Sequence, residues 1–427
     1  MSTTRTLKGL RWWIIGLIGA ATVINYIDRT SLAVMWPDIS KDLDLTKDQY
    51  ATIVSAFMIA YAFGQALSGK FLDWIGTRIG FVASIAVWST ACALHSVSRG
   101  IMSFSAFRGL LGLSEAGNWP GATKASAEWF PIKERAFAQG IFNAGASLGA
   151  VISAPLIALL YLTFGWQATF LIVAALGFLW IIPWWIINRS DPGEHPWIST
   201  EERQYILTGQ KPATVVAETR VPTWGELLTY KESWSVIVSR FFLDPIWWLF
   251  VNWLPIYLAE EFGFEIKDIG LFAWVPYLGA AIGSLVGGWW SGHMIGKGWS
   301  ANKARKWAIV AGSLLTFPAF IFAAFADSPL AAVLIIAAVL CGFQVMINNI
   351  QTLPSDLFSG KSVGSLAGMG GMSAVFGVLV FSTWLIPAIS EVSYMPVFLM
   401  GASLVPVGVG AVFFFGRQIR RVELKKL

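Results

Sequence analysis

The sequence predicts an all-α membrane protein, with 12 transmembrane helices arranged as two six-helix bundles. Three observations carry that prediction. Charge is scarce: 13% of the 427 residues are Asp, Glu, Lys or Arg and 56% are hydrophobic, whereas a soluble domain carries roughly 25% charged residues. Apolar runs of about 20 residues, enough for a helix to cross a hydrocarbon core of about 30 Å, recur along the whole chain. Basic residues gather on alternate connections between those runs. Lipid offers no partners to backbone polar groups, so each run must be helical or part of a closed barrel. Barrel segments are short and alternating, and these runs are long and continuous, which selects helices.

In order, the expected spans are 11–35, 48–72, 78–97, 100–121, 135–163, 166–188, 234–259, 267–295, 305–325, 328–352, 361–388 and 393–416. With the N-terminus in the cytoplasm, the inner side collects Arg5, Lys8, Arg11, Lys70, Arg78, Lys124, Lys133 and Arg135. It also collects the basic residues of 189–232, Lys297, Lys303, Arg305, Lys306, Lys361, Arg417, Arg420, Arg421, Lys425 and Lys426. Only Lys41, Lys47, Arg99 and Lys267 fall outside. This is the positive-inside pattern with both termini cytoplasmic. The formal net charge of +5 therefore reflects topology, and no nucleic-acid partner is implied. Arg5, Lys8 and Arg11 ahead of an apolar run resemble a signal peptide. No small-residue cleavage site follows, however, and Asp28-Arg29 interrupts the run, so it reads as the first membrane helix.

One polar stretch divides the chain into an N-terminal bundle (1–188), a cytoplasmic linker (189–233) and a C-terminal bundle with a basic tail (234–427). Within the linker, Ser199 and Glu202 have capping-box spacing and predict a short surface helix near 199–208. Six helices, a loop and six helices, with binding at the midplane between halves, is the architecture of many secondary transporters. Cys92 and Cys341 lie in separate helices and read as buried apolar thiols.

A charge at the centre of a membrane helix costs roughly 2.5–3.5 kcal/mol on insertion scales, so each one retained needs a reason. Those at depth are Asp28 and Arg29 in the first span, Arg108 and Glu115 in the fourth, and Arg240 and Asp244 in the seventh. Arg108 and Glu115 share a face about two turns apart, too far to pair with each other. Asp28 and Arg29 are adjacent and point about 100° apart. Arg240 and Asp244, at i,i+4, can pair directly, and that pair suits a structural role as well as a binding one. Two readings of the first four residues stand side by side. One is a buried ion network locking the first span to the fourth. In the other, the arginines hold an anion, since a guanidinium donates two parallel hydrogen bonds to a carboxylate and keeps its charge, while Asp28 and Glu115 carry protons. The histidines at 95, 195 and 293 fall near span ends or in loops, which leaves the acids as proton-site candidates. Polar and aromatic residues cluster at the same depth: Asn25, Tyr26, Tyr61, Gln65, Asn118, Trp119, Asn143, Gln344, Asn348, Asn349 and Gln351. Sugar hydroxyls need such partners, although each is equally served by hydrogen bonds between helices. Asp327, Asp356 and Glu391 fall at expected helix ends and read as solvated.

At these residues the chain resembles the major facilitator superfamily, and within it the anion:cation symporter family, closest to bacterial hexuronate (glucuronate and galacturonate) transporters. Gly69-Lys70-Phe71-Leu72-Asp73-Trp74-Ile75-Gly76-Thr77-Arg78 is similar to the signature loop between the second and third helices. The resemblance implies that Gly69 and Gly76 allow close packing there. It also implies that Asp73 and Arg78 make contacts favouring an outward-facing state. Tyr26-Ile27-Asp28-Arg29 and Arg108…Glu115-Ala116-Gly117 match the family's first- and fourth-helix motifs, and Trp129-Phe130-Pro131 with Glu134-Arg135-Ala136 its cytoplasmic loop motif. Arg240-Phe241-Phe242…Asp244-Pro245 and Phe272-Ala273-Trp274-Val275-Pro276 resemble its seventh and eighth helices. In the second half, Gly288-Trp289-Trp290-Ser291-Gly292 has glycine where the signature loop would repeat its acid.

The resemblance implies a proton symporter importing a sugar-acid anion through the inner membrane by alternating access. Asp28 and Glu115 would couple protons. Arg29, Arg108, Tyr26, Tyr61, Gln65, Asn25, Trp119, Arg240 and Asn348 would lie toward substrate, and Gly69, Asp73, Gly76, Arg78, Glu134, Arg135 and Asp244 would serve gating or structure. The expected partners are the anion, protons and the bilayer, with the chain acting as a monomer and without cofactor or metal. Anion exchange and uptake of a related acid, such as galactonate or an alginate-derived keto acid, are the alternatives. A non-transporting acid sensor is a further one, disfavoured because such receptors usually carry an added signalling domain. No nucleophile–base pair, metal cluster or phosphate-cradling loop suggests an enzyme.

Overall fold

The computed structural model describes residues 6–210, 222–264, 272–358, 360–390 and 393–422; Arg5, Lys267, Glu391, Lys425 and Lys426 lie outside them. Every regular element among the described residues is helical. In chain order these are α1 (Leu10–Asp42), α2 (Lys47–Ile75), α3 (Thr77–Leu94), α4 (Ile101–Glu115), α5 (Asn118–Trp129), α6 (Ile132–Ile187), α7 (Thr200–Gln210) and α8 (Trp224–Leu228). There follow α9 (Lys231–Phe262), α10 (Val275–Gly296), α11 (Ala301–Ala323), α12 (Pro329–Leu357), α13 (Val363–Val378), α14 (Ile386–Ser390) and α15 (Met395–Phe415). A wide π-helical turn, Leu379–Leu385, joins α13 to α14. Nine helices among the described residues are long and apolar enough to cross a membrane, with Ile132–Ile187 counted once. That long element is two helices, divided where Gly165 adopts φ 79°, between the expected spans 135–163 and 166–188. The fourth expected span is also a composite: α4 stops at Glu115, and α5 carries the helix on to Trp129, beyond the expected end.

Local chemistry explains several boundaries. Thr46 and Gln49 close a reciprocal capping box at the start of α2. At its end Gly76, with φ 84°, turns the chain directly into α3 while its N–H bonds the Leu72 carbonyl. Ser328 caps α12 by accepting from the Ala331 amide.

The described chain forms two compact units. The first contains Met1–Pro131, Leu148–Val221 and Gly360–Gly368; the second contains Ile132–Ser147, Pro222–Ser359 and Met369–Leu427.

In the first unit α2 and α4 meet backbone to backbone. A Cβ at Gly112 would stand 2.4 Å from the Phe57 carbonyl oxygen, and one at Gly64 2.8 Å from that of Leu113. Small residues allow this approach, and it sets Phe57 and Tyr61 beside the face that carries Arg108 and Glu115. The expected linker helix is present as α7, and Ser199 accepts from the Glu202 amide as a cap. Glu202 itself does not close a capping box. Its buried carboxylate accepts from the amides of Leu10 and Arg11 and from Arg11 Nη1 at 2.7 Å, so it caps α1 instead. At the other end of α7, Gln210 donates to the Ala127 and Glu128 carbonyls.

In the second unit, residues 132–147 of α6 pack on α10 and α12. A Cβ at Gly288 would lie 2.3 Å from the Ala136 carbonyl oxygen, and one at Gly292 2.2 Å from that of Lys133. This explains the glycine that replaces the signature acid: no side chain fits at 292. Negative charge enters the neighbourhood from Asp356, which is buried rather than solvated as expected. It accepts from Arg305 Nε at 2.9 Å and lies 3.6 Å from Arg135. Cys92 is buried as expected, whereas Cys341 is partly exposed.

Candidate functional site

The first unit brings Asp28, Arg29, Arg108 and Glu115 together. α1 presents Asp28 and Arg29, α4 presents Arg108 and Glu115, and relative exposures are 1% for Asp28, 5% for Arg108 and 0% for Glu115. Arg29 donates from Nε and Nη2 to Glu115 Oε2 at 3.2 and 3.1 Å, and from Nη2 to Asn25 Oδ1 at 3.1 Å. Arg108 Nη2 donates to the Arg29 main-chain carbonyl at 2.9 Å. Partners 86 positions apart in sequence thus join, and the adjacent residues Asp28 and Arg29 do not.

The pairing is incomplete. Both carboxylate oxygens of Asp28, and Nε and Nη1 of Arg108, are buried without an aligned hydrogen-bond partner among the described residues. The same is true of Gln65 Oε1, one helix away on α2. An unpaired charged group away from water costs several kcal/mol unless something compensates it. Buried donors and acceptors left over on opposite charges are the arrangement a site needs for a ligand with both anionic and hydroxyl character.

Aromatic rings wall the cluster. The Arg29 guanidinium carbon lies 4.7 Å from the Tyr61 ring centroid, 5.2 Å from Phe57, 5.5 Å from Tyr26 and 5.8 Å from Trp119. Phe57 and Tyr61 stack at 5.6 Å with 13° between their planes. These distances are within the roughly 6 Å over which ring quadrupoles attract a cation. The rings surround the guanidinium and offer flat apolar faces suited to the C–H face of a sugar ring. Phe57 is a wall residue that the sequence reading omitted. Its signal was the i,i+4 spacing to Tyr61 and then Gln65 on one face of α2.

The remaining expected residues divide by location. Also in the first unit, Asp73 accepts from Lys124 Nζ at 3.0 Å and from the amides of Gly364 and Ser365 at 3.0 and 2.5 Å. Gly69 lies against the Gly364 carbonyl, 2.1 Å from where its Cβ would be. Arg78 turns elsewhere, donating to the Arg189 carbonyl at 2.7 Å and lying over the Trp185 ring. In the second unit, Arg240 Nε donates to Asp244 Oδ2 at 2.7 Å, the i,i+4 pair expected from the spacing. Arg135 donates to the Ser355 carbonyl at 2.6 Å, and Glu134 occupies the first turn of α6. Asn348 accepts from Asn143 at 2.5 Å and donates to the Ser284 carbonyl; Gln351 accepts from the same Asn143 amide at 2.7 Å. These amides tie residues 132–147 to α10 and α12.

Comparison with known proteins agrees with this architecture. The chain is 31% identical to the hexuronate transporter of Escherichia coli (strain K12) over 402 residues, covering 92% of this chain and 91% of that one. It is 33% identical to the galacturonate transporter of Dickeya chrysanthemi over 311 residues, 72% of this chain and 90% of that one. It superposes on the human organic anion transporter TETRAN with a TM-score of 0.69 at 16% identity, covering 94% of this chain and 99% of that one. On the Escherichia coli fucose:proton symporter the TM-score is 0.68 at 13% identity, covering 94% and 98%. Residues 18–382 match the model of the Major Facilitator Superfamily, and the chain belongs to that family: a multi-pass membrane transporter rather than an enzyme.

Proposed function

We propose that this protein imports a hexuronate or a closely related sugar-acid anion by proton symport, through alternating access in a bacterial inner membrane. The observation that carries the reading is the buried, incompletely paired cluster of Asp28, Arg29, Arg108 and Glu115 inside its aromatic wall. Relatives matching 92% and 72% of the chain are a hexuronate and a galacturonate transporter, probable galactarate/D-glucarate transporters match 97% and 98% of it, and a probable L-galactonate transporter of Escherichia coli (strain K12) is 30% identical. In this reading the chain crosses the membrane as two six-helix bundles, 1–188 and 234–427, with both termini and the linker in the cytoplasm, and works as a monomer.

Function follows from the charges. With Glu115 ionised, its hydrogen bonds hold Arg29. Protonation of Glu115 releases that guanidinium, and protonation of Asp28 leaves the positive charge of Arg108 in excess. One substrate carboxylate then offsets one of the two uncompensated arginine charges, bound through the planar fork that an arginine offers. Tyr26, Tyr61, Trp119, Gln65 and Asn25 receive the ring and its hydroxyls. Asp73, held by the amides that open α13, stabilises the outward-facing arrangement, with Gly69 allowing the close approach. Arg240, Asp244 and Asn348 serve the second bundle, where Arg240 faces substrate only when its pair with Asp244 opens.

Uptake of radiolabelled glucuronate into proteoliposomes, with and without an inward proton gradient, tests the reading. Accumulation abolished by a protonophore is the expected result. Exchange that ignores the gradient would replace symport with antiport. Absence of any glucuronate uptake or competition would discard the substrate class.

A further inference from the structure

In the first unit the start of α3 meets the end of α6, and arginine and tryptophan build the meeting point. The Trp184 indole donates to the Arg78 carbonyl at 3.0 Å, which ties the two spans together. Arg78 Nη1 donates to the Arg189 carbonyl at 2.7 Å, and Arg189 Nε to the Ile186 carbonyl at 3.1 Å. Each guanidinium lies on an indole: Arg78 is 4.2 Å from the Trp185 ring centroid, and Arg189 4.0 Å from that of Trp197. Arg203 approaches from α7 and donates to the His195 carbonyl at 2.8 Å. Burial holds the pKa of that histidine below its usual range, and all three arginines push it the same way.

This positive charge has no counter-ion. Among the described residues, no carboxylate pairs with Arg78, Arg189 or Arg203. Asp191 and Glu194 of the same segment are exposed, and Glu128 is engaged by Lys124 and the Thr77 hydroxyl. Arg78 stands in the first turn of α3, which has neither an acidic residue nor a side-chain cap. A helix dipole disfavours a cation at that end and favours an anion. Arg78 Nε and Arg203 Nε are buried without an aligned acceptor among the described residues. Beside the charge, the outer face of α6 is apolar and open: Trp185 is 48% exposed, Ile186 46% and Ile182, one turn earlier, 56%.

We propose that Arg78 and Arg189 bind the phosphodiester headgroup of an anionic phospholipid, whose acyl chains lie on Trp185, Ile186 and Ile182. A guanidinium donates paired hydrogen bonds to a phosphate. Arg78 spends Nη1 on the chain and Arg189 spends Nε, which leaves Nη2 of the first and both Nη atoms of the second as donors. Indoles settle at the headgroup level of a bilayer, and basic pockets at the ends of membrane helices bind such headgroups. A soluble anion would satisfy the charge but leave the apolar face of α6 uncovered, and a lipid does both. Bound there, it bridges α3, α6 and the segment after α6, and so stabilises the first unit. The site is separate from the cluster of Asp28, Arg29, Arg108 and Glu115 and holds whichever solute is carried.

The test uses purified, delipidated protein in detergent. It is titrated separately with phosphatidylglycerol, with phosphatidylcholine of the same chain length and with inorganic phosphate. Retained lipid is read by native mass spectrometry and stability by the unfolding temperature. Phosphatidylglycerol alone is retained and raises the unfolding temperature. Arg78→Gln with Arg189→Gln raises its half-saturation concentration about tenfold. Arg417→Gln with Arg420→Gln, the same loss of charge on the exposed tail of the second unit, leaves it unchanged. Should the first pair fail to fold, Arg189→Gln alone and Trp185→Ala carry the test, since both side chains are exposed and each should weaken retention. Arg78→Lys with Arg189→Lys keeps the charge, loses the fork and also binds more weakly. Equal retention of the two lipids, or equal effects of the two glutamine pairs, overturns the proposal. Wild-type affinity in the lysine pair overturns it as well, because diffuse attraction to anionic lipid would then suffice. Stabilisation by inorganic phosphate equal to that by phosphatidylglycerol gives the site to a free anion and also overturns it. None of these readouts involves transport, so the lipid site and the symport reading stand or fall separately.

Discussion

Arg108 and Glu115 face the same cluster but make opposite demands on a substitution. Lysine at 108 keeps the charge and loses the fork, so Arg108→Lys raises the substrate dissociation constant at least tenfold in a binding assay at constant pH, about 1.4 kcal/mol. An unchanged affinity would assign Arg108 to the structural bond with the Arg29 carbonyl. Glu115→Gln removes the titrating proton while leaving an acceptor for Arg29. It therefore abolishes proton-driven accumulation and keeps counterflow exchange, measured in the same vesicles; accumulation equal to wild type would take Glu115 out of coupling. That these residues are candidates was legible in the sequence, because a charge at membrane depth must have a reason. Their partners were not. Spacing reveals an i,i+4 pair such as Arg240 with Asp244, but Arg29 and Glu115 meet across two helices whose packing depends on Gly64 and Gly112. Asp356 was misread for the same reason: a residue at a helix end looks solvated until a distant arginine, here Arg305, reaches it.

At the scale of elements, the linker helix α7 is the clearest case of a local signal put to long-range use. The Ser199–Glu202 spacing correctly located a helix N-terminus, but the carboxylate caps α1. Glu202→Ala leaves the amides of Leu10 and Arg11 without their acceptor, at a cost of about 1–3 kcal/mol. The variant should unfold at a lower temperature in detergent, with the exposed neighbour Glu201→Ala as a neutral control. The segment before α7 holds a histidine whose neutral form the fold favours. Burial holds the pKa of His195 below the usual histidine range. Its Nδ1 accepts from the Trp197 amide at 3.2 Å and its Nε2 lies 2.8 Å from the Ile187 carbonyl, a network that requires the neutral ring with Nε2 protonated. Because the folded state holds fewer protons than the unfolded one, this contribution is full above the unfolded value of about 6.5 and declines as pH falls through the folded value. Limited proteolysis of residues 189–210 should therefore accelerate below about pH 6.5, and His195→Gln should flatten that dependence. Cleavage independent of pH in wild type would show that His195 does not hold the segment.

For the whole molecule, composition and the distribution of basic residues were enough to predict the class of fold, and most expected spans lie within a few residues of a helix. What hydropathy could not supply was continuity: it does not register that the fourth span is two helices meeting at Ala116-Gly117, although it did separate the two helices that part at Gly165. Nor does it fix which side of the bilayer an end occupies. That expectation rests on charge counted over short connections, and its energy is small per residue but acts on every loop at insertion. It makes a direct prediction. A reporter that fluoresces only in the cytoplasm, fused after Leu427, is active, and so is one placed in the linker. A phosphatase that folds only outside is active in the connection containing Arg99 and silent in the linker. The Asp73 contacts add the conformational half of the test. Asp73→Asn removes the charge held by the amides of Gly364 and Ser365, an interaction of up to about 2 kcal/mol when partly buried. That is enough to change a two-state ratio severalfold, since 1.4 kcal/mol is tenfold. With the proposed topology, cysteines introduced at the ends of α2 and α13 nearest Asp73 should then be alkylated faster from the inside in the Asp73→Asn background. Equal labelling in both backgrounds would mean that Asp73 stabilises its helices without biasing the direction in which the transporter opens.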